Sequence, residues 1–231
     1  MNTHVGEPRR PPFNAEAARR LREALGMTPE NVAYGMAAAF GLRISPAMVA
    51  SWERGEDTPT STELTALAGA LWCAPGELLG APGTLREYRL ALGLAADDVA
   101  LRIGMERRAY ERLEDGGKWT GNERQAAALA EALELPLPAL IRFTGQDAKL
   151  TELLTSAVTT RWQAYVRPVG KLVPLPKERI QEVLQELHGD YQSGMAGTLN
   201  WGGGEGADAS GKAGRAFLAG ILADFWERIG R

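Results

Sequence analysis

From Ala15 to about Gly145 apolar residues recur at three- and four-residue steps, and Ala, Leu, Glu and Arg dominate. That pattern predicts a succession of amphipathic helices. Gly80-Ala81-Pro82-Gly83 interrupts the pattern and reads as a linker. Three further helical stretches follow: Asp147 to about Tyr165, Lys177 to about Leu199, and Ala213 to Ile229. The second carries Ile180, Val183, Leu184, Leu187 and Tyr191 on one stripe, and the third carries Phe217, Leu218, Ile221, Leu222, Phe225 and Trp226. Between Trp162 and Leu175, valines and leucines are interspersed with Pro168, Gly170 and Pro174, which predicts a loop with room for one short strand. Gly202 to Gly211 reads as a glycine-rich loop. The predicted fold class is all-α.

Within the helical run the chain repeats itself. Arg22-Glu23-Ala24-Leu25-Gly26-Met27 returns as Arg89-Leu90-Ala91-Leu92-Gly93-Leu94, an R-x-x-x-G-[LM] pattern. Val32-Ala33 and Gly41-Leu42 correspond to Val99-Ala100 and Gly104-Met105. Val49-Ala50-Ser51-Trp52-Glu53-Arg54-Gly55 aligns with Tyr110-Glu111-Arg112-Leu113-Glu114-Asp115-Gly116. Each copy closes on an alanine/leucine helix, Leu64–Leu71 or Ala127–Leu133, and a last short turn, Glu77-Leu78-Leu79 or Pro138-Ala139-Leu140.

Each copy resembles the five-helix DNA-binding domain of phage repressors and xenobiotic-response-element (XRE) regulators. The first supplies Thr28 through Ala33, Ser45 through Gly55, and Pro59 at the places where that family has them. It departs in the spacing from Ala33 to Gly41, which implies a second helix one turn longer and a looser turn. The second copy has the family spacing, Ala100 to Gly104, but Ala95 and Glu106 stand at the capping Ser/Thr positions and no proline follows Gly116. The resemblance divides the chain into an arm (1–16, rich in proline and expected to be flexible), two helix-turn-helix domains (17–80 and 84–145) and a helical C-terminal domain (146–231).

What the resemblance implies about chemistry is specific. A helix-turn-helix lays the N-terminal half of its second helix in the major groove, where side chains meet base edges. In the first copy that helix starts at Ser45, an N-cap followed by Pro46. Pro46, Ala47, Ala50 and Ser51 face the groove, and none of them can make a bidentate base contact. In the second copy the face carries Arg107, Arg108, Glu111 and Arg112, with Lys118 and Arg124 following near the next helix. Arginine offers a planar fork for guanine or phosphate, and glutamate accepts from cytosine. The resemblance also pairs Arg22 with Glu53 and Arg89 with Glu114, tying the first helix of each copy to its recognition helix. Trp52, Leu113 and Trp72 read as core, Cys73 as a small core residue, and His188 as a surface or capping residue. Arg9 and Arg10 admit two readings, a minor-groove arm or a solvated tail.

Charge alters this picture only by restraint. The chain has 231 residues with 26 basic and 29 acidic side chains, a net charge of −3. Residues 17–80 hold 5 basic and 7 acidic, 84–145 hold 9 and 10, and 146–231 hold 10 and 10. DNA binding would therefore rest on locally placed cations. The acidic balance keeps a second reading open, a protein-interaction scaffold that retains the fold without touching DNA. One cysteine and two histidines leave little for a disulfide framework or a zinc site, and fit a cytoplasmic chain. No apolar run approaches the ~20 residues of a membrane span. Gly206–Lys212 matches G-x-x-x-x-G-K, but Ala213 stands where a phosphate loop needs Ser or Thr. No catalytic constellation, metal site or cofactor motif is predicted. Double-stranded DNA is the expected partner. A homodimer is expected through the apolar face of the last helix, which is more than one neighbouring helix covers.

Overall fold

The computed structural model describes residues 10–199 and 205–230, which form helices joined by short turns. No β-strand occurs among the described residues; an isolated bridge joins Phe13 to Leu79. No helix there is long and apolar enough to cross a membrane. The chain divides into two compact units, residues 1–135 and 136–231.

The first unit holds α1 (Ala15–Ala24), α2 (Pro29–Phe40), α3 (Pro46–Glu53) and α4 (Ser61–Ala70), then a 3-10 turn at Pro75–Leu78. A second set follows: α5 (Leu85–Ala91), α6 (Ala96–Arg102), α7 (Arg107–Glu114) and α8 (Glu123–Ala132). Side chains start these helices. Asn14 caps α1, Thr28 caps α2, Thr60 caps α4, Thr84 caps α5 and Asn122 caps α8. Glycines at matched places end them. Gly26 and Gly93, Gly41 and Gly104, and Gly55 and Gly116 all adopt positive φ, between 63° and 88°, which only glycine adopts without strain.

The core of the first set gathers Ala18, Val32, Met36, Val49, Trp52, Leu64, Leu67, Leu71 and Leu78. In the second set Leu85, Val99, Ala100, Ile103, Tyr110, Leu113, Leu129 and Leu133 are buried. The longer α2 expected from the spacing is present: 12 residues against 7 in α6. Its extra turn sets the Phe40 ring where a Cβ on Gly69 of α4 would fall, 2.3 Å away. The two sets meet where Leu90 and Ala91 pack on the first core. The backbone approaches there so closely that a Cβ on Gly76 would lie 2.7 Å from the Ala91 carbonyl oxygen.

Several expectations need correction. Residues 10–14 are no loose arm: Pro11 is buried, Gly80 N–H donates to Pro12 O at 3.0 Å, and Asn14 N–H donates to Leu78 O at 2.9 Å. Proline there removes donors but leaves the carbonyl free to accept. Arg10 pairs with Asp57 and donates to Thr58 O; Arg9 lies outside the described residues. Trp72 is 89% exposed, because it follows α4 in a left-handed conformation (φ 55°) that turns the side chain outward; Glu134 does the same after α8 (φ 49°). The division at 135/136 places Leu137–Phe143, expected to close the second copy, in the second unit, where Ile141 joins the core.

The second unit comprises α9 (Leu137–Phe143), α10 (Asp147–Thr159), a 3-10 turn at Trp162–Tyr165, α11 (Val166–Leu172), α12 (Lys177–Leu199) and α13 (Glu205–Ile229). Most of the stretch expected to be a loop or strand, residues 162–172, is therefore helical. Val166, Val169 and Val173 fall at helical spacing and are buried, and Pro168 sits in the first turn of α11, where its missing N–H costs no bond. α10 ends at Thr159 rather than near Tyr165, with Thr160 Oγ1 donating back to Ser156 O at 2.6 Å. α13 starts at Glu205, so residues 205–211 of the expected glycine loop are helix; Gly202–Gly204 lie outside the described residues. A phosphate loop over Gly206–Lys212 is thereby ruled out.

α12 and α13 run antiparallel, with Tyr191 against Phe217 (ring centroids 5.7 Å apart) and Arg228 bonded to Asp190 at 2.5 Å. α10 covers the same core, and Ile221 and Phe225 are fully buried while Leu218, Leu222 and Trp226 pack on it. The apolar face of α13 is thus covered within its own unit, and the argument for a homodimer from an uncovered patch falls. His188, half-buried on α12, sets Nδ1 2.9 Å from the Val158 carbonyl near the end of α10. A carbonyl only accepts, so Nδ1 carries the proton and caps that helix end.

Candidate nucleic-acid interface

The third helix of each set, α3 or α7, is tied to the first by an arginine–glutamate ion pair. Arg22 on α1 donates Nε to Glu53 Oε1 at 2.7 Å and Nη2 to Oε2 at 2.8 Å, and its Nη1 to Met27 O at 2.8 Å. Arg89 on α5 does the same: Nε to Glu114 Oε1 at 2.6 Å, Nη2 to Oε2 at 3.0 Å, and Nη1 to Leu94 O at 2.8 Å. Arg86 adds contacts to Glu114 and Asp115. The Glu114 side chain is only 2% exposed. Burial pushes its carboxyl up, but the bonds and charge of Arg89 outweigh this and hold it below the usual range. Each pair clamps α3 or α7 to the first helix of its set, the pairing that the resemblance implied.

The starts of α3 and α7 are set differently. Ser45 Oγ accepts from Met48 N–H at 3.1 Å, and Pro46 begins α3. In α7 the place of a capping Ser or Thr is filled after all: the Glu106 carboxylate accepts from Arg108 N–H at 3.0 Å and Ala109 N–H at 3.1 Å. A carboxylate at an N-terminus also complements the helix dipole. Ala95 makes no such cap on α6. Gln125, which sequence reasoning passed over, donates Nε2 to Gly104 O at 2.8 Å and so ties α8 to the turn before α7. The Asn122-x-x-Gln125 capping box was its visible signal.

The outward faces differ in chemistry. On α3, Ala47 is exposed while Ala50 and Ser51 are half-buried, and all three are small. Beyond them Arg54 is locked to Glu56 by two bonds of 2.7 Å. Arg43, in the turn before α3, is exposed and unpaired among the described residues, a cation not singled out from sequence. On α7, Tyr110, Leu113 and Glu114 face inward. Arg108 and Arg112, one turn apart on the opposite side, are exposed and have no partner among the described residues. Arg107 is not free. It is held by Glu111 at 2.8 Å and Asp97 at 2.9 Å, which also ties up Glu111. Lys118 and Arg124 are exposed and unpaired among the described residues, as is Arg102 at the end of α6. No grouping of three or more His, Cys, Asp or Glu suited to a metal occurs among the described residues.

No curated protein and no solved structure matches the chain. Residues 19–78 match the family model of the helix-turn-helix, a span that runs from the middle of α1 through α4 to the end of the 3-10 turn after it.

Proposed function

We propose that the chain is a sequence-specific DNA-binding transcriptional regulator of the XRE type, with a second, diverged helix-turn-helix module over 84–135 that supplies the main reading helix. The observation that carries this is the pair Arg108 and Arg112, unpaired among the described residues and turned away from the core on a helix clamped by Arg89–Glu114. Arg108 reads a base edge in the major groove, and Arg112, Lys118 and Arg124 hold phosphates. Arg107 is a positioning residue in this reading, since Asp97 and Glu111 already occupy its guanidinium. The first module contributes close approach through Ala47, Ala50 and Ser51, and a phosphate contact through Arg43. Two modules in one unit give one chain two reading helices, so the reading does not require a homodimer.

Selection of bound duplexes from a random library by the full chain, sequenced after several rounds, tests this. The expected result is one enriched motif. No enrichment at low salt overturns it. It would then favour the scaffold reading, for which the small, uncharged face of α3 speaks.

A further inference from the structure

The second unit carries a cleft that the DNA reading does not use. α11 forms a ridge with an open cavity on either side, of about 580 and 590 Å³. Both volumes fall in the range of small-molecule sites. The first has an apolar floor of Val166, Leu175 and Ile180, and three cations at its rim, Arg167, Lys171 and Lys177. No carboxylate lines it among the described residues, although residues 146–231 hold as many acidic as basic side chains. All three cations are exposed and unpaired among the described residues. Arg167 and Lys171 stand one turn apart on α11, a like-charged spacing that destabilises a bare helix and is relieved by an anion between them. The cavity on the other side shares these two residues, but its own cation, Lys149, is already bonded to Glu152 at 2.9 Å. The cleft is close-built on its floor: a Cβ on Gly170 would stand 3.3 Å from Ile180 Cδ1.

We infer that this cleft between α11 and the start of α12 binds a small amphipathic anion, a carboxylate or phosphate monoester head on an apolar body. The head lies between Arg167, Lys171 and Lys177, where charge-assisted hydrogen bonds are strongest. The apolar body lies on Val166, Leu175 and Ile180, where its burial supplies the non-directional part of the affinity. The Gln163 and Gln181 amides flank the same cleft and offer further donors to the head.

Isothermal titration of the full chain with decanoate, 1-decanol and acetate tests this, at concentrations below micelle formation. Decanoate is expected to bind saturably, one per chain. Decanol, which lacks the charge, should bind about tenfold more weakly or worse, and acetate, which lacks the body, should show no saturation. The double variant Arg167→Glu/Lys171→Glu changes only exposed side chains, and its helical circular dichroism should match the parent. It should lose decanoate affinity by about tenfold or more. Absence of saturable decanoate binding, equal affinity for decanol, or an unchanged affinity in the well-folded double variant would each overturn the inference.

Discussion

Arg89 and Glu114 form a two-pronged ion pair, with both carboxylate oxygens accepting from one guanidinium at 2.6 and 3.0 Å. The Glu114 side chain is 2% exposed and that of Arg89 12%. Removing one partner leaves a buried charge uncompensated, so Glu114→Gln is expected to destabilise the first unit by about 3 kcal/mol. Hydrogen exchange of peptides spanning α5 to α7 checks this. Protection should fall there first, and a parental exchange pattern would show that the pair carries no structural weight.

The same pair sets a pH dependence. The Glu114 carboxyl is depressed in the folded chain, so its contribution is fully present above the ordinary glutamate value of 4.5. It is lost as pH falls below that value, through the depressed folded value. Protection of α5–α7 should therefore decline on acidification below the ordinary glutamate range, and Glu114→Gln should flatten that decline. A steeper decline in the variant would contradict the assignment.

Trp72→Gly should leave stability unchanged or raise it by up to about 1 kcal/mol. The side chain is 89% exposed, and φ at 55° costs any L-residue energy that glycine does not incur. A core tryptophan lost to a small residue costs about 3–5 kcal/mol instead. Chemical denaturation distinguishes the two, and a loss of that size would place Trp72 in the core.

Gly76→Ala should weaken the joint between the two helical sets. The added Cβ would stand 2.7 Å from the Ala91 carbonyl oxygen, a backbone atom that cannot swing away. Overpacking of this kind costs about 1–3 kcal/mol. The melting temperature should fall, and an unchanged one would mean that α5 shifts freely against the 3-10 turn.

Cys73 is half-buried; burial, and then the nearby Glu77, push its thiol up to about 11. Its alkylation rate in the folded chain should keep rising with pH to about that value. A plateau near pH 9 would show an ordinary, solvated thiol.

Much of this architecture is written in the sequence. The repeated motifs located α3 and α7 through recurring glycine positions, and the family resemblance supplied the Arg22–Glu53 and Arg89–Glu114 pairs. Val166, Val169 and Val173 also had helical spacing, but the density of Pro168, Gly170 and Pro174 masked it. Trp72 reads as core alongside the Leu/Ala stripes, and its left-handed backbone has no sequence mark when the residue is not glycine. The capping role of Glu106 was hidden because a glutamate there resembles an ordinary surface charge. The tethering of Arg107 by Asp97 depends on how α6 packs against α7, and no spacing rule predicts that contact.

The most direct test of the DNA-reading assignment is fluorescence anisotropy with a duplex carrying the selected motif. It compares the parent chain with Arg108→Ala, Arg112→Ala and Ser51→Ala, each at several salt concentrations. Arg108→Ala should lower affinity by about tenfold or more and relax preference at one base pair. Arg112→Ala should weaken all sequences alike and make the salt slope shallower by about 1, while Ser51→Ala should change little. Unchanged binding by an Arg108→Ala/Arg112→Ala double variant with parental helical content would contradict the account and move the reading helix to α3.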